Sequence, residues 1–385
     1  MIQIILAVLF VVFGIFLKKT SHPGFRSTVV KKQILFFLLI SGLSFSQQKN
    51  LKITDLQPKS EDFAFPKVSY AEKPLVENKI NTFLQVNQLE YIPGSVGSPS
   101  KLVSTGKTSY SNYVYFYGWE KLETPKNILS IAINGEASGA YPEGFDIWKN
   151  FDLRTGNVIN AKDLFQPNSI KTVEGLIQKN IKKEVNDFLA TLRSEKDPSE
   201  EVVDQIAIYE DCFTNFTLDG IEYYFAKNKI RFIAGRCSNH AMRALDELGS
   251  HVVEFPYKDL EKYWSSYAKN LLSDSEKVDK TSLDNKLYRG KIDGKYPITV
   301  LIDKVYDDGS FSAKYWYDKN KKLIEWNGKL KGNHISIIEN DYYSEETNQW
   351  IFRALVEVDL QGNKISGTWQ DYKTKKYLKL ELEEL

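Results

Sequence analysis

From residue 287 to residue 385 the sequence falls into eight short segments that alternate apolar and polar positions, each bounded by a turn signal. They lie near 287–292, 296–303, 310–317, 322–327, 334–339, 350–358, 363–369 and 376–382. Asp293-Gly294, Asp308-Gly309, Lys331-Gly332 and Gln361-Gly362 supply tight-turn chemistry between them. Phe352, Ala354, Val356 and Val358 fall on one face of their strand, as do Leu378, Leu380 and Leu382 on theirs. Eight consecutive strands joined this way predict an all-β domain over 287–385, as an eight-stranded meander or a small barrel closing its own edges. Trp316, Trp326, Trp350 and Trp369 lie in this region. Aromatic walls can hold a small ligand, so these four are the candidate ligand contacts of a hollow barrel; the alternative is that they pack a small barrel shut.

Upstream the texture is mixed. Val76, Ile80, Phe83 and Leu84 recur at helical spacing, and strand-like runs follow at 111–119, 127–133 and 145–153. A long helix is predicted over about 169–193, with Ile170, Val173, Ile177, Val185, Phe188 and Leu192 as its apolar stripe. A second helix is expected to start with Asp197 as N-cap, Pro198 as first helical residue and Glu200 completing a capping box. Strands near 213–218 and 221–226 are expected to flank an Asp219-Gly220 hairpin turn, and HVVEFP at 251–256 reads as a last strand. Short connections between strands and helices argue α+β over 67–272. Residues 47–66, polar and proline-punctuated, read as a tether, and 273–286, almost without apolar residues, as a linker.

Residues 1–46 form a basic, apolar leader. It carries five basic side chains (Lys18, Lys19, Arg26, Lys31, Lys32) and no acid, leaving 46 basic against 50 acidic residues in the body. A weakly acidic body offers no footprint for nucleic acid. Ile4 to Leu17 is short for a membrane span, which needs about 17–25 residues. Lys31-Lys32, the apolar run Ile34 to Leu43 and Ser44-Phe45-Ser46 before Gln47 make a secretory signal. Two readings stay open. Either 1–46 is a pair of spans with the basic loop held inside, or 1–29 is a mis-assigned start upstream of the signal. In both, the body is expected to be extracytoplasmic, at the periplasm or cell surface, with a membrane anchor only if the leader is retained. Export makes a disulfide between Cys212 and Cys237 an open possibility, against two unrelated thiols.

No motif for catalysis or cofactor binding is found. His240, His251 and His334 are the histidines of the body, and no two lie three to five residues apart, so zinc spacing is absent. GSVGS at 94–98 and GEASG at 135–139 match neither a nucleophile elbow nor a phosphate loop. Asp307-Asp308 and Glu345-Glu346 lack the alternating ligands of a calcium loop. No metal or cofactor is therefore expected.

Asp152-Leu153-x-Thr155-Gly156-x-x-Ile159, followed by Asp163-Leu164-Phe165, resembles the signature of an exported bacterial domain. That domain is the outer part of lysozyme-sensing anti-sigma factors and the N-terminal part of some peptidoglycan deacetylases. Lys79-Ile80-Asn81 on the first helix, Gly139-Ala140-Tyr141-Pro142, Phe216-x-Leu218-x-Gly220-Ile221 and Val253-x-Phe255-Pro256-Tyr257-x-x-Leu260 agree in order and spacing. The likeness spans roughly 67–265, and it departs at Tyr141, where the family has His. Residues 1–30 are too short and apolar for a sigma-binding segment, and the β region has no His-x-x-x-His pair, so neither whole-protein activity carries over. The resemblance implies an α+β fold and work at the cell envelope. The expectation is a non-enzymatic binding or sensing protein whose partner is an envelope protein, lysozyme or a glycan, with Gly139, Tyr141 and Trp148 as candidate contacts. The alternative is a small-ligand carrier using the barrel, and the third an accessory module of a cell-wall enzyme.

Overall fold

The computed structural model describes residues 50–99, 113–138, 142–212, 216–239, 241–273 and 275–385. The leader, and Gly139 and Tyr141 with it, lie outside the described residues. Asn50–Leu385 forms one compact unit. No helix among the described residues is long and apolar enough to cross a membrane.

Two strands open it, β1 (Leu51–Asp55) and β2 (Pro66–Tyr70), paired antiparallel. The expected tether is thus partly a strand, because Leu51, Leu56, Phe63 and Phe65 are buried in the core and fix the backbone between them. Helix α1 (Pro74–Leu89) follows, with Pro74 at its first turn. Asn81 on α1 both donates to and accepts from the main chain of Val68, serving β2 as a surrogate strand. A three-stranded sheet comes next, β3 (Tyr113–Lys121), β4 (Ile128–Ser138) and β5 (Pro142–Asp152). Helix α2 (Ile170–Leu192) buries Val173, Ile177, Ile181, Val185, Leu189 and Leu192, one residue per turn, against a second sheet. That sheet is β6 (Glu222–Phe225), β7 (Lys229–Ala234) and β8 (His251–Pro256). Helices α3 (Glu200–Glu210) and α4 (Ser266–Leu272) complete the α+β part.

Two sequence expectations fail here. The cap of α3 is Ser199, whose hydroxyl accepts from Val202 N, rather than Asp197; the hydroxyl sits at the spacing a first turn offers. The Asp219-Gly220 turn joins no hairpin. Leu218 N is taken by the buried Glu174 carboxylate at 2.8 Å and Asp219 by Lys304 and Lys162, so 216–221 is a loop, and the hairpin lies instead between β6 and β7.

The last eight strands are β9 (Lys286–Ile292), β10 (Tyr296–Val305), β11 (Ser310–Tyr317), β12 (Ile324–Lys331), β13 (His334–Ser344), β14 (Gln349–Gln361), β15 (Lys364–Asp371) and β16 (Tyr377–Glu384). They form a closed antiparallel barrel, sealed where β16 pairs with β9 (Leu380 opposite Ile292, Glu384 opposite Tyr288). Asp293 and Gly294 both take the left-handed conformation (φ 54° and 63°) that a two-residue hairpin turn requires. Inward positions fill the lumen: Ile298, Ile302, Tyr315, Ala354, Val356 and Leu380 are fully buried. Outward positions on β9, β10 and β11 (Leu287, Leu301, Trp316) join the core around α1, so barrel wall and α+β part share apolar packing. The 273–286 segment is pinned as well, through Asn127 to Ser273 and through Asp163 to Ser282.

Candidate ligand-binding site at the barrel mouth

Strand direction puts the turns at 293–295, 318–323, 345–348 and 372–376 at one end of the barrel. Near that end the β13–β14 ladder slips twice, between Glu339 and Asn340 and between Asn340 and Tyr342. Glu339 pairs with Ala354 and Asn340 with Phe352, which leaves Arg353 as an extra residue on β14. A bulge of this kind re-aims a side chain, and here Arg353 reaches the barrel's one buried inward acid.

That acid, Glu339, is 0% exposed. Its Oε2 accepts from Tyr315 OH at 2.8 Å and from the indole N–H of Trp326 and Trp369, both at 3.1 Å. Its Oε1 faces Arg353 Nε at 3.2 Å as an ion pair, yet no aligned hydrogen bond reaches it. Asn340 Oδ1 is also buried without a hydrogen-bond partner among the described residues. Asn340 Oδ1 is thus the unmet acceptor of the pair, at a cost of about 1–3 kcal/mol. Burial, followed by the charge of Glu339, raises the Tyr315 hydroxyl pKa far above its usual value, so Tyr315 stays a donor.

Above this layer stands a rim of exposed rings. Tyr343 and Trp350 meet edge to face with centroids 5.5 Å apart, and Phe352 and Tyr372 repeat that arrangement at 5.5 Å. Trp350 is 54% exposed, and Tyr296, Tyr342 and Tyr377 are more than half exposed around the same end. Lys375 sits 4.0 Å over the Tyr372 ring. Burying such rings against solvent-excluding partners is the usual source of binding energy at a surface.

The structure brings together two of the four candidate tryptophans. Trp326 and Trp369 point inward and share one oxygen of Glu339; Trp350 is on the rim outside the lumen. Trp316 is no lumen residue at all: strand alternation turns it out onto the α1 core. Trp148 on β5 is half buried, stacked on Tyr224 at 5.9 Å with its main-chain N–H on Glu222. Its candidate companions Gly139 and Tyr141 lie outside the described residues. Cys212 and Cys237 are bonded, with Cα atoms 5.0 Å apart. Glu339 and Arg353 were missed by motif reading, although His334-Ile-Ser-Ile-Ile-Glu339 carries the signal: Ile335, Ile337 and Glu339 share one face, an acid on an apolar register.

A second concavity of about 510 Å³ lies between α1, the 152–157 corner and β9. Lys79 is buried in it, donating to Leu385 O. Burial lowers its amine to about 8, with Lys286 adding to the effect and Glu384 and Asp152 opposing it. Arg154 clasps Asp152 with two hydrogen bonds (2.9 and 2.7 Å), and Lys286 pairs with Glu384 at 3.0 Å. With its charges paired internally, this cleft reads as the cement of the fold.

No protein-family model and no curated protein matches the chain. Among solved structures it is similar to a DUF3298 family member from Bacteroides fragilis NCTC 9343, at 15% identity over 56% of this chain and 91% of that one, with a TM-score of 0.33. A DUF3298 family protein from Pseudomonas aeruginosa PAO1 aligns at 13% identity over 57% of this chain and 94% of the other, with a TM-score of 0.35. At those scores the account of this chain rests on its own geometry.

Proposed function

We propose that the chain is a non-catalytic, extracytoplasmic binding protein that holds an envelope glycan on the aromatic mouth of its barrel. The observation that carries this reading is the pairing of rings at the mouth, the exposed Tyr343 with Trp350 and the half-buried Phe352 with the exposed Tyr372. Sugars present apolar C–H faces that stack on such rings. A chain-like ligand lying across the rim needs no room inside the lumen, whereas an enclosed small ligand would have to displace Ile298, Tyr315 and Val356. Support for the envelope comes from the signal-like leader and from the resemblance of 67–265 to exported domains of cell-wall sensors and deacetylases.

The test is calorimetric titration of residues 47–385 with a soluble N-acetylglucosamine–N-acetylmuramic acid oligosaccharide. Saturable binding is expected, with Trp350→Ala weakening it at least tenfold, about 1.4 kcal/mol. Tyr306→Ala, an exposed ring in the turn at the opposite end, leaves affinity unchanged. No heat of binding, or equal loss in both variants, contradicts the proposal.

A further inference from the structure

The disulfide has a neighbour that a plain cross-link does not need. His251, at the start of β8, is 1% exposed, and its Nε2 lies 3.4 Å from Cys237 Sγ. Its Nδ1 is 2.7 Å from Oε2 of Glu184 on α2. The carboxylate accepts a hydrogen bond from Nδ1–H, which leaves Nε2 facing the sulfur. Both cysteines are half buried rather than sealed.

The two sulfurs sit in opposite fields. Cys212 follows the C-terminal end of the 11-residue helix α3, whose dipole end is negative, and directly follows Asp211, the Glu210 carboxylate being paired with Arg193. A thiolate there is disfavoured. Cys237 faces the His251 ring at 3.4 Å, a partner within reach of a departing thiolate. Disulfide exchange proceeds fastest when the sulfur with the more stable thiolate departs.

From this asymmetry we propose that Cys212–Cys237 is an exchangeable disulfide that accepts an external thiol at Cys212 and releases Cys237. The incoming thiolate attacks Cys212 Sγ, forming one S–S bond as the Cys212–Cys237 bond breaks with its electron pair passing to Cys237 Sγ. The proton lost by the incoming thiol ends on the Cys237–His251 pair. The thiol is oxidised to a mixed disulfide and Cys237 is reduced; a second thiol then attacks the external sulfur and frees Cys212. The substrate class is a small thiol or an exposed protein dithiol. His251 assists the departure of the Cys237 sulfur it touches, in an exchange without turnover, and Glu184 positions it.

Oxidised protein is treated with reduced glutathione, quenched with acid, alkylated and mapped by peptide mass. The adduct is expected on Cys212 over Cys237 by at least tenfold. His251→Gln slows its formation at least tenfold, while the melting temperature of the oxidised form tests whether the fold survives. Glu184→Gln, at a half-exposed side chain, keeps the fold and slows the reaction at least threefold. Absence of an adduct, equal labelling of both cysteines, or an unchanged rate in the Glu184→Gln protein overturns the proposal.

Discussion

At Glu339 a buried charge is set among four polar groups, and removing it tests the whole mouth. Glu339→Ala leaves Trp326, Trp369 and Tyr315 without their acceptor and Arg353 with only Asp341 as counter-charge, a loss of about 3–5 kcal/mol by analogy with broken buried pairs. Denaturant melts are expected to report a drop in that range, and a loss under about 1 kcal/mol would contradict the assigned network. Lys79 makes a pH prediction. Folded, it releases its proton near 8; unfolded, near 10.5, so between those values the unfolded chain binds more protons and stability rises with pH. Below pH 8 the burial penalty is fully present. The stability of the protein relative to Lys79→Met is therefore expected to climb between pH 8 and 10.5, by on the order of 3 kcal/mol. A flat difference would refute it. At the Asp152–Ile159 corner, Gly156 has φ 80° and a Cβ would lie 3.0 Å from Val76 Cα and O, so Gly156→Ala is expected to cost more than 1 kcal/mol in the same melts.

Among elements, those with sustained periodicity were legible. The stripe predicted over 169–193 is the buried face of α2, and the eight alternating segments are the eight strands of the barrel. What failed was local competition. Ser199 and Asp197 are both good caps two residues apart, and the sequence carries nothing that ranks them. The Asp219-Gly220 signal was overridden by contacts distant in sequence, Glu174 and Lys304, which no local pattern contains. Of the site, the sequence offered four tryptophans alike; that only Trp326 and Trp369 converge on Glu339 depends on closure of the barrel, and the turning of Arg353 depends on a bulge that leaves no residue signature. The Cys212–Cys237 bridge closes a loop of 25 residues. Replacing both by Ala is expected to cost about 3 kcal/mol, read as a lower melting temperature. An unshifted melt would show that the packing around α3 holds without it.

The whole molecule is expected to unfold as one. Leu287, Leu301 and Trp316 on the barrel wall share a core with Ile80 and Phe83 of α1, so cutting within 273–286 uncovers apolar surface on both sides. Calorimetry of residues 47–385 should give a single transition, and residues 287–385 alone should melt lower or aggregate; two independent transitions would mean the shared core contributes little. That joint packing holds the barrel by its wall and by the 318–323 turn, where Lys321 donates to Pro93 O, while Trp350, Tyr342, Tyr343 and Tyr377 stay exposed among the described residues. Where the ligand sits is therefore the most direct question, and amide chemical-shift mapping during titration with the cell-wall oligosaccharide answers it. The account predicts perturbations concentrated at 339–353 and 369–377. Shifts confined to the surroundings of Trp148 or to the Lys79 cleft, with the mouth silent, would contradict it.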